Sequence, residues 1–485
     1  MPPSTLNAHK CRYDDARLGK VRHWTGSSAG LPRRERTRRE ILRSLALAAL
    51  ICAGQAGKAH SQPAPTGAVD ATGGAPPTVS LEQPEQNWAT QSTMTGDWGG
   101  VRTSLSEAGF DFKAAYVGEY AYAFSGGKRI GGDYAQQLRF GMDMDLAKVV
   151  GLPGARFDVT FNAREGRSTS ADFVGNKLAT QEIYGDGNNF RLAELSYDQS
   201  LLGNALDVKA GYLVLGSDFG RTPILCSFQN SGFCAHPKSL VNNSGWTDYP
   251  IGKWAARVRV TLPAGIYAEI GVYDVNPSYE DHNNGFKVSL QGSTGVIIPV
   301  EFGKTVTFGP AAMPGHYKLG GYYDSSEAPD EENPNSKFSG RYGGYLLADQ
   351  MVCSFAPGTD RGLIVVVDAT VSDIRTAQIP SYFVGALVAQ GPFAARPHDF
   401  LSIGFIRATV NSNAVSRQEA LLAARGVENP MLELGENDVE LSYGLQATPW
   451  MLIHPNLQFI GNPGAFSFKH VPNAWVFGAQ IELTL

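Results

Sequence analysis

Long apolar runs are what this sequence lacks most. In 485 residues the longest uniformly apolar stretch is Leu45–Ala53, less than half of the roughly 20 residues a helix needs to cross a bilayer. A helical membrane protein is excluded. Basic charge is also short: 41 Lys and Arg stand against 46 Asp and Glu. A nucleic-acid partner, which requires a basic footprint, is therefore not expected. Catalytic signatures are missing too. Gly26-Ser27-Ser28-Ala29-Gly30 has nucleophile-elbow spacing but precedes no hydrolase core. Gly303-Lys304-Thr305 ends like a phosphate loop, yet Ile298 stands where its first glycine belongs. No His-Glu-x-x-His occurs, and neither an enzyme, a metal nor a cofactor is expected.

The apolar run has a purpose of its own. Arg33, Arg34, Arg36, Arg38, Arg39 and Arg43 precede it and Ala59-His60-Ser61 follows. Basic, greasy and then small-residue is the order of an export leader, so residues 1–61 are expected to be removed near Ser61–Gln62. Thr37-Arg38-Arg39 has some twin-arginine character, but an ordinary basic leader is preferred. The leader holds 12 basic and 4 acidic residues, so the remainder keeps 29 and 42, a formal net of −13. Residues 62–94, rich in Pro, Gly, Thr and Gln, read as a flexible lead-in. Cysteine is scarce: of five, Cys11 and Cys52 fall in the leader, and Cys353 is left over once the other two are paired. Cys226 and Cys234, close together in an exported chain, are expected to form a disulfide. Zinc would need a second ligand pair at suitable spacing, which is missing.

What the sequence has in abundance is alternation. In the final residues Trp475, Phe477, Ala479, Ile481, Leu483 and Leu485 alternate with Val476, Gly478, Gln480, Glu482 and Thr484. Such a strand has one greasy and one mostly polar face. A barrel that pairs its first strand with its last accounts for this ending, where a sandwich would expose an edge. Residues 95–485 are expected to form the barrel. A short amphipathic helix comes first, with Trp98, Val101, Leu105 and Ala108 on one stripe and Ser104 with Glu107 as a capping box. Period two begins at Asp111. About sixteen strands are expected, at 111–124, 134–146, 155–165, 189–199, 206–216, 253–262, 266–275, 295–305, 316–326, 342–355, 362–373, 379–391, 399–410, 437–448, 451–461 and 474–485. Those at 342–355 and 399–410 alternate poorly.

Connection lengths favour a membrane barrel over a soluble sandwich. Long connections such as 166–188, 217–252 and 411–436 take turns with short ones such as 147–154, 200–205 and 263–265. Outer-membrane barrels have long external loops and short periplasmic turns, and an even strand count puts both barrel ends in the periplasm. Closure also satisfies every backbone hydrogen bond in lipid. The fold class is thus all-β, a transmembrane antiparallel barrel of about sixteen strands with a short N-terminal helix. Trp450, Trp475, Tyr322, Tyr323, Tyr342 and Tyr345 lie near strand ends, where interfacial girdles sit.

The residues also resemble a family, the carbohydrate-selective porins of the OprB type, over about 95–485. The resemblance rests on Gly96-Asp97-Trp98-Gly99-Gly100 with Arg102, on Cys226, Phe228, Phe233 and Cys234, and on Ser293-Thr294-Gly295-Val296 followed by Pro299-Val300-Glu301. It continues through Tyr345, Asp349-Gln350-Met351 and Arg361-Gly362-Leu363, then Arg396-Pro397-His398-Asp399, Glu440 with Tyr443, and His454 through Gly464. It implies a sixteen-stranded outer-membrane channel for passive uptake of neutral, glucose-like sugars. Two positions depart from the family pattern: Leu485 replaces a terminal aromatic residue, and His454-Pro455-Asn456 replaces Gln-Pro-Asp.

The polar faces of the strands supply the candidate pore-lining residues. They are Arg139, Asp143, Arg156, Arg164 and Glu194, then Arg257, Arg259, Glu269 and Lys318, and finally Glu440, Gln458 and Gln480. A charge facing lipid near the midplane costs roughly 2–4 kcal/mol, so these side chains belong inside. Each could contact solute or simply form lumenal ion pairs. The 217–252 connection, holding Trp246 and the expected disulfide, could fold inward and narrow the pore. The acidic 324–332 stretch reads as a solvated external tip, bridged to lipopolysaccharide by divalent cations. Lipid, lipopolysaccharide and the barrel-assembly machinery are the expected partners, and the chain a monomer or homo-trimer. The rival readings are a general or cation-leaning porin without sugar preference and a soluble sugar-binding protein.

Overall fold

The computed structural model describes residues 87–485 apart from 185, 186, 235 and 429. The expected leader, and the lead-in as far as residue 86, lie outside the described residues. A single-turn 3₁₀ segment, Trp98–Gly100, runs into helix α1 (Val101–Glu107). The expected capping box is not what starts it. Gly100 is the N-cap, at φ 95°, and Asp97 accepts from both the backbone N–H and the hydroxyl of Thr103. Ser104 lies inside the helix and donates back to the Gly100 carbonyl.

Sixteen strands follow. They are β1 (Phe110–Ser125), β2 (Gly131–Asp145), β3 (Ala155–Gly166), β4 (Asn189–Leu201), β5 (Leu206–Leu213), β6 (Lys253–Leu262), β7 (Ile266–Val275) and β8 (Gly295–Phe308). The second half comprises β9 (Met313–Pro329), β10 (Lys337–Ser354), β11 (Gly362–Ser372), β12 (Ser381–Gln390), β13 (Phe400–Thr409), β14 (Gly435–Thr448), β15 (Met451–Gly461) and β16 (Ala474–Thr484). Each pairs antiparallel with its neighbours in sequence, and β1 pairs with β16, so the sheet is a closed barrel. The seam runs in register from Ala115 opposite Thr484 to Tyr122 opposite Phe477. The lead-in and α1 staple this seam from one end. Arg102 donates to the carbonyls of Phe112 and Leu485, and Met94 N–H to that of Thr484.

The registers fix the two faces. Arg139 lies opposite Ala115 and Asn162, and Glu119 opposite Gln480. These side chains share the inner face, while Phe140, Ile270, Leu319 and Phe477 are exposed on the outer one. The one register irregularity between β3 and β4 falls beside Ala193, between the partners of Thr160 and Phe161. It is a β-bulge, one residue more on β4 than on β3. Among the aromatic residues expected in girdles, Trp475, Tyr323 and Tyr342 are exposed. Tyr322 and Tyr345 instead turn inward and are buried, and Trp450 is covered by Trp88.

The lumen is largely filled. The segment between β5 and β6 folds into the barrel, carrying two short helices, α2 (Leu215–Asp218) and α3 (Lys238–Asn243). It packs on both sides of the interior. Leu225, Phe228 and Phe233 form one core with Val366, Val384, Ala386 and Ile406 on the inner faces of β11–β13. Leu215, Phe219, Leu240 and Trp246 form a second core with Tyr273, Ile297, Tyr322, Tyr345 and Leu347 of β7–β10. The inner face there is apolar because protein, not water, covers it.

Candidate functional site

A segment inside a barrel brings backbone N–H groups that must find partners. Here the wall carboxylates supply them. Glu301 accepts from Gly220 N–H at 2.8 Å, Asp324 from Gly245 at 2.6 Å, and Glu440 from Gln229 at 2.7 Å and Asn230 at 2.8 Å. Glu436 does the same for a second inward connection, accepting from Lys177 at 2.7 Å and Leu178 at 2.8 Å. Part of the acidic excess of the chain therefore anchors loops.

Between the inward segments and the β16–β1–β2–β3 wall lies a cavity of about 290 Å³, the eyelet. The wall contributes Ala115 and Val117 from β1, Gln137 and Arg139 from β2, Arg164 from β3, and Gln480 and Glu482 from β16. The opposite rim is Ser217, Arg221, Asp248, Tyr249 and both cysteines of the Cys226–Cys234 disulfide, with Glu182 from the β3–β4 connection. Arg139, Arg164 and Arg221 are matched in number by Glu182, Asp248 and Glu482, so the ring of charge balances when all three carboxyls are ionised.

Its geometry is held by a few contacts. Arg164 donates to Gln137 Oε1 at 2.7 Å and to the Tyr249 carbonyl at 3.1 Å. The Arg139 guanidinium lies 5.9 Å from the Tyr249 ring centroid, and Asn162 donates to the Tyr249 hydroxyl at 3.3 Å. Burial pushes that phenol up to about 12, so it remains a hydrogen-bond donor. Burial would also raise the Asp248 carboxyl, but His236 at 3.8 Å and the Lys238 ammonium at 3.1 Å outweigh it and hold the group at about 2. For Glu182 burial prevails, and its carboxyl sits at about 7 despite the pull of Arg164.

The candidates named from the sequence divide into four groups. Arg139, Arg164 and Gln480 line the eyelet. Asp143, Glu194, Arg257, Arg259 and Glu269 form lumenal ion pairs. Lys113 meets Asp143 at 3.0 Å, Lys209 meets Glu194 at 2.7 Å, Arg257 meets Asp207 at 2.6 Å and Arg259 meets Glu269 at 2.8 Å. Glu440 and Gln458 are fully buried beneath the inward segment. Lys318 donates to the Arg221 carbonyl at 2.5 Å, and Arg156 is exposed near the short-turn end of β3. Trp246 requires a correction. Its connection does fold inward, but the ring has no exposure and packs 6.0 Å from both Tyr322 and Tyr345, so it anchors the segment and does not face the passage. The acidic 324–332 stretch is corrected as well. Asp324 is buried and paired with Arg341 at 2.9 Å, and only the residues from Asp330 onward leave the strand.

Sequence reasoning missed Gln137, Glu182, Arg221, Asp248, Tyr249 and Glu482. Gln137 and Glu482 were on faces already read as polar. The other four lie on connections, where no periodicity reveals which way a side chain turns. His454, the departure from the family pattern, is buried in the wall with its ring 5.2 Å from Phe400 and Nδ1 3.3 Å from Gln480 Oε1.

A closed sixteen-stranded barrel with a greasy exterior, a polar eyelet and inward-folded connections defines a channel of the bacterial outer membrane. The chain belongs to the carbohydrate-selective porin, OprB family, which it matches over residues 129–485. It is 35% identical over 424 residues to Porin B of Pseudomonas aeruginosa, covering 82% of this chain and 91% of that protein. It is 28% identical over 411 residues to the putative porin QuiX of Acinetobacter baylyi, covering 80% and 92%. Among solved structures, the high-pH structure of Pseudomonas putida OprB superposes with a TM-score of 0.77 at 33% identity, covering 82% of this chain and 99% of that one.

Proposed function

We propose that neutral, glucose-like sugars diffuse passively through the eyelet. The near-balanced charge ring carries the reading. A pore biased toward one ion sign would concentrate the opposite charge, whereas here three guanidiniums face three carboxyl groups, of which Glu182 is half-ionised near pH 7. A sugar crossing it exchanges hydration water for a ring of fixed donors and acceptors. Arg139 and Arg164 supply planar, permanently charged donor forks. Gln137, Gln480, Glu482 and Asp248 supply acceptors, and Tyr249 offers a ring face. Such contacts must be strong enough to replace water and weak enough to release the solute. The ion-pair ladder of Arg257, Arg259, Glu269, Glu194 and Asp143 shapes the wall and holds its charges without touching solute.

The wider setting belongs to the same reading. Residues 1–61 act as a cleaved export leader, the barrel is inserted by the assembly machinery, and its outer rim meets lipopolysaccharide as a monomer or homo-trimer. The test is swelling of liposomes carrying the purified protein. Glucose is expected to enter far faster than trisaccharides, with no comparable preference for small cations over small anions in reversal-potential measurements. Strong cation preference with sugar entry governed by size alone would reject selectivity for carbohydrate.

A further inference from the structure

A second cavity, of about 500 Å³, opens at the long-loop end of the barrel, and none of its lining residues belongs to the eyelet. Its volume lies within the roughly 300–1,000 Å³ of small-molecule sites. Five connections converge on it. Lys177 comes from the β3–β4 segment, Asp330 and Glu331 from β9–β10, Gln378 from β11–β12, Arg417 from helix α4 (Ser412–Ala423), and Phe466 and Phe468 from β15–β16.

These connections are fixed in place. Glu436 holds the backbone of Lys177 and Leu178. Asn411 donates to the carbonyls of Ile374 at 2.7 Å and Ala377 at 2.6 Å. Phe466 and Phe468 pack with Val410, Val415 and Ala465. The charges again cancel, with Lys177 and Arg417 against Asp330 and Glu331. Asn176, also on the lining, has a buried Oδ1 with no hydrogen-bond partner. Apolar ring surfaces, neutral overall charge and amide groups suit a ligand with C–H faces and hydroxyl edges, not an ion.

We infer that this outer pocket is a capture site for neutral saccharides of one or two rings, which holds them at the external mouth before transit. The inference rests on the proposed passage of sugars and adds a site outside the eyelet. A pore whose solute is dilute gains from it, because a loosely held sugar raises the local concentration at the entrance. The chemistry is that of a sugar lying against Phe466 and Phe468, with its hydroxyl edges toward Gln378 and the charged groups of Lys177, Arg417, Asp330 and Glu331.

The experiment is single-channel recording of the mature protein in planar bilayers, with glucose or maltose added to one side at a time. For Phe466→Ala/Phe468→Ala, the rate of sugar-induced current interruptions from the long-loop side is expected to fall at least fivefold. The rate from the short-turn side and the conductance in sugar-free salt are expected to stay unchanged, which also certifies a folded channel. Phe466→Trp is expected to retain the wild-type rate, and Gln378→Ala, which touches no core, to lower it by less. Wild-type rates in the double variant and in Gln378→Ala would overturn the capture site alone. Absence of interruptions from either side in the unaltered protein would overturn the proposed sugar passage and this site together.

Discussion

Arg164 donates to the backbone carbonyl of Tyr249 across 3.1 Å, tying β3 to the C-terminal end of the segment that fills the barrel. This link spans one side of the eyelet, so its loss has two consequences. Removing a charge-assisted hydrogen bond costs about 1.5–3 kcal/mol, and the rim opposite loses a tether. Arg164→Ala is expected to raise single-channel conductance and flatten the dependence of sugar flux on size. Conductance equal to wild type in a folded variant would show that the link does not set the width.

The protonation of Glu182 makes the eyelet sensitive to pH. Its carboxyl is raised by burial from an ordinary carboxylate value to about 7, so the native state holds a proton that the unfolded chain releases lower down. The group therefore costs nothing at pH 4 and destabilises progressively as pH rises from about 4.5 to 7, with no further change above. Over the upper part of that range the ring also gains one negative charge. Reversal potentials are expected to move toward cation preference between pH 6 and 8, and Glu182→Gln is expected to abolish the movement.

The Cys226–Cys234 disulfide closes a short loop on the eyelet rim. Closing a loop of this size restricts the unfolded chain by roughly 2–3 kcal/mol. Phe228 and Phe233 still pack on β11–β13 when it is absent, so Cys226→Ser/Cys234→Ser is expected to retain the barrel and its mean conductance. Open-channel noise is expected to increase in the double variant, and to increase likewise in the unaltered protein when reductant is added. A quiet channel in the double variant would show that apolar packing alone fixes the rim.

Much of this barrel was legible because lipid and lumen impose opposite chemistry on alternate residues. The faces of β2, β3, β6 and β16 read correctly, down to Arg257 and Arg259 pointing inward opposite Lys209 and Glu269. Where alternation weakened, it carried a different message. β13 offers Ile406 and Ala408 to the interior as well as Ile403 and Phe405 to lipid, because Phe228 and Phe233 make the inner side dry. A poorly alternating strand in such a barrel marks where a connection packs inside. The eyelet was half legible for the same reason. Arg139, Arg164 and Gln480 follow a strand period, whereas Asp248 and Tyr249 are placed by tertiary packing that no local pattern encodes.

The carboxylates beneath the inward segment give a further test. Glu440 accepts two backbone N–H groups and the Ser442 hydroxyl, all buried. Glu440→Ala strands those donors at roughly 1–3 kcal/mol each. The midpoint of heat-induced mobility change in detergent gels is expected to fall markedly, while Arg156→Ala, an exposed site, is expected to leave it near wild type. Equal midpoints would mean that the wall carboxylates do not hold the segment.

Sugar entry into liposomes carrying Ala115→Trp tests the location of the passage most directly. Ala115 lies on β1 opposite Arg139 and lines the eyelet, so an indole there occupies the proposed route. Glucose-driven swelling is expected to fall by an order of magnitude or more while heat-modifiable mobility stays that of a folded barrel. Swelling at the wild-type rate in a folded Ala115→Trp channel would contradict the account, because sugar would then be crossing somewhere other than between the inward segment and the β16–β3 wall.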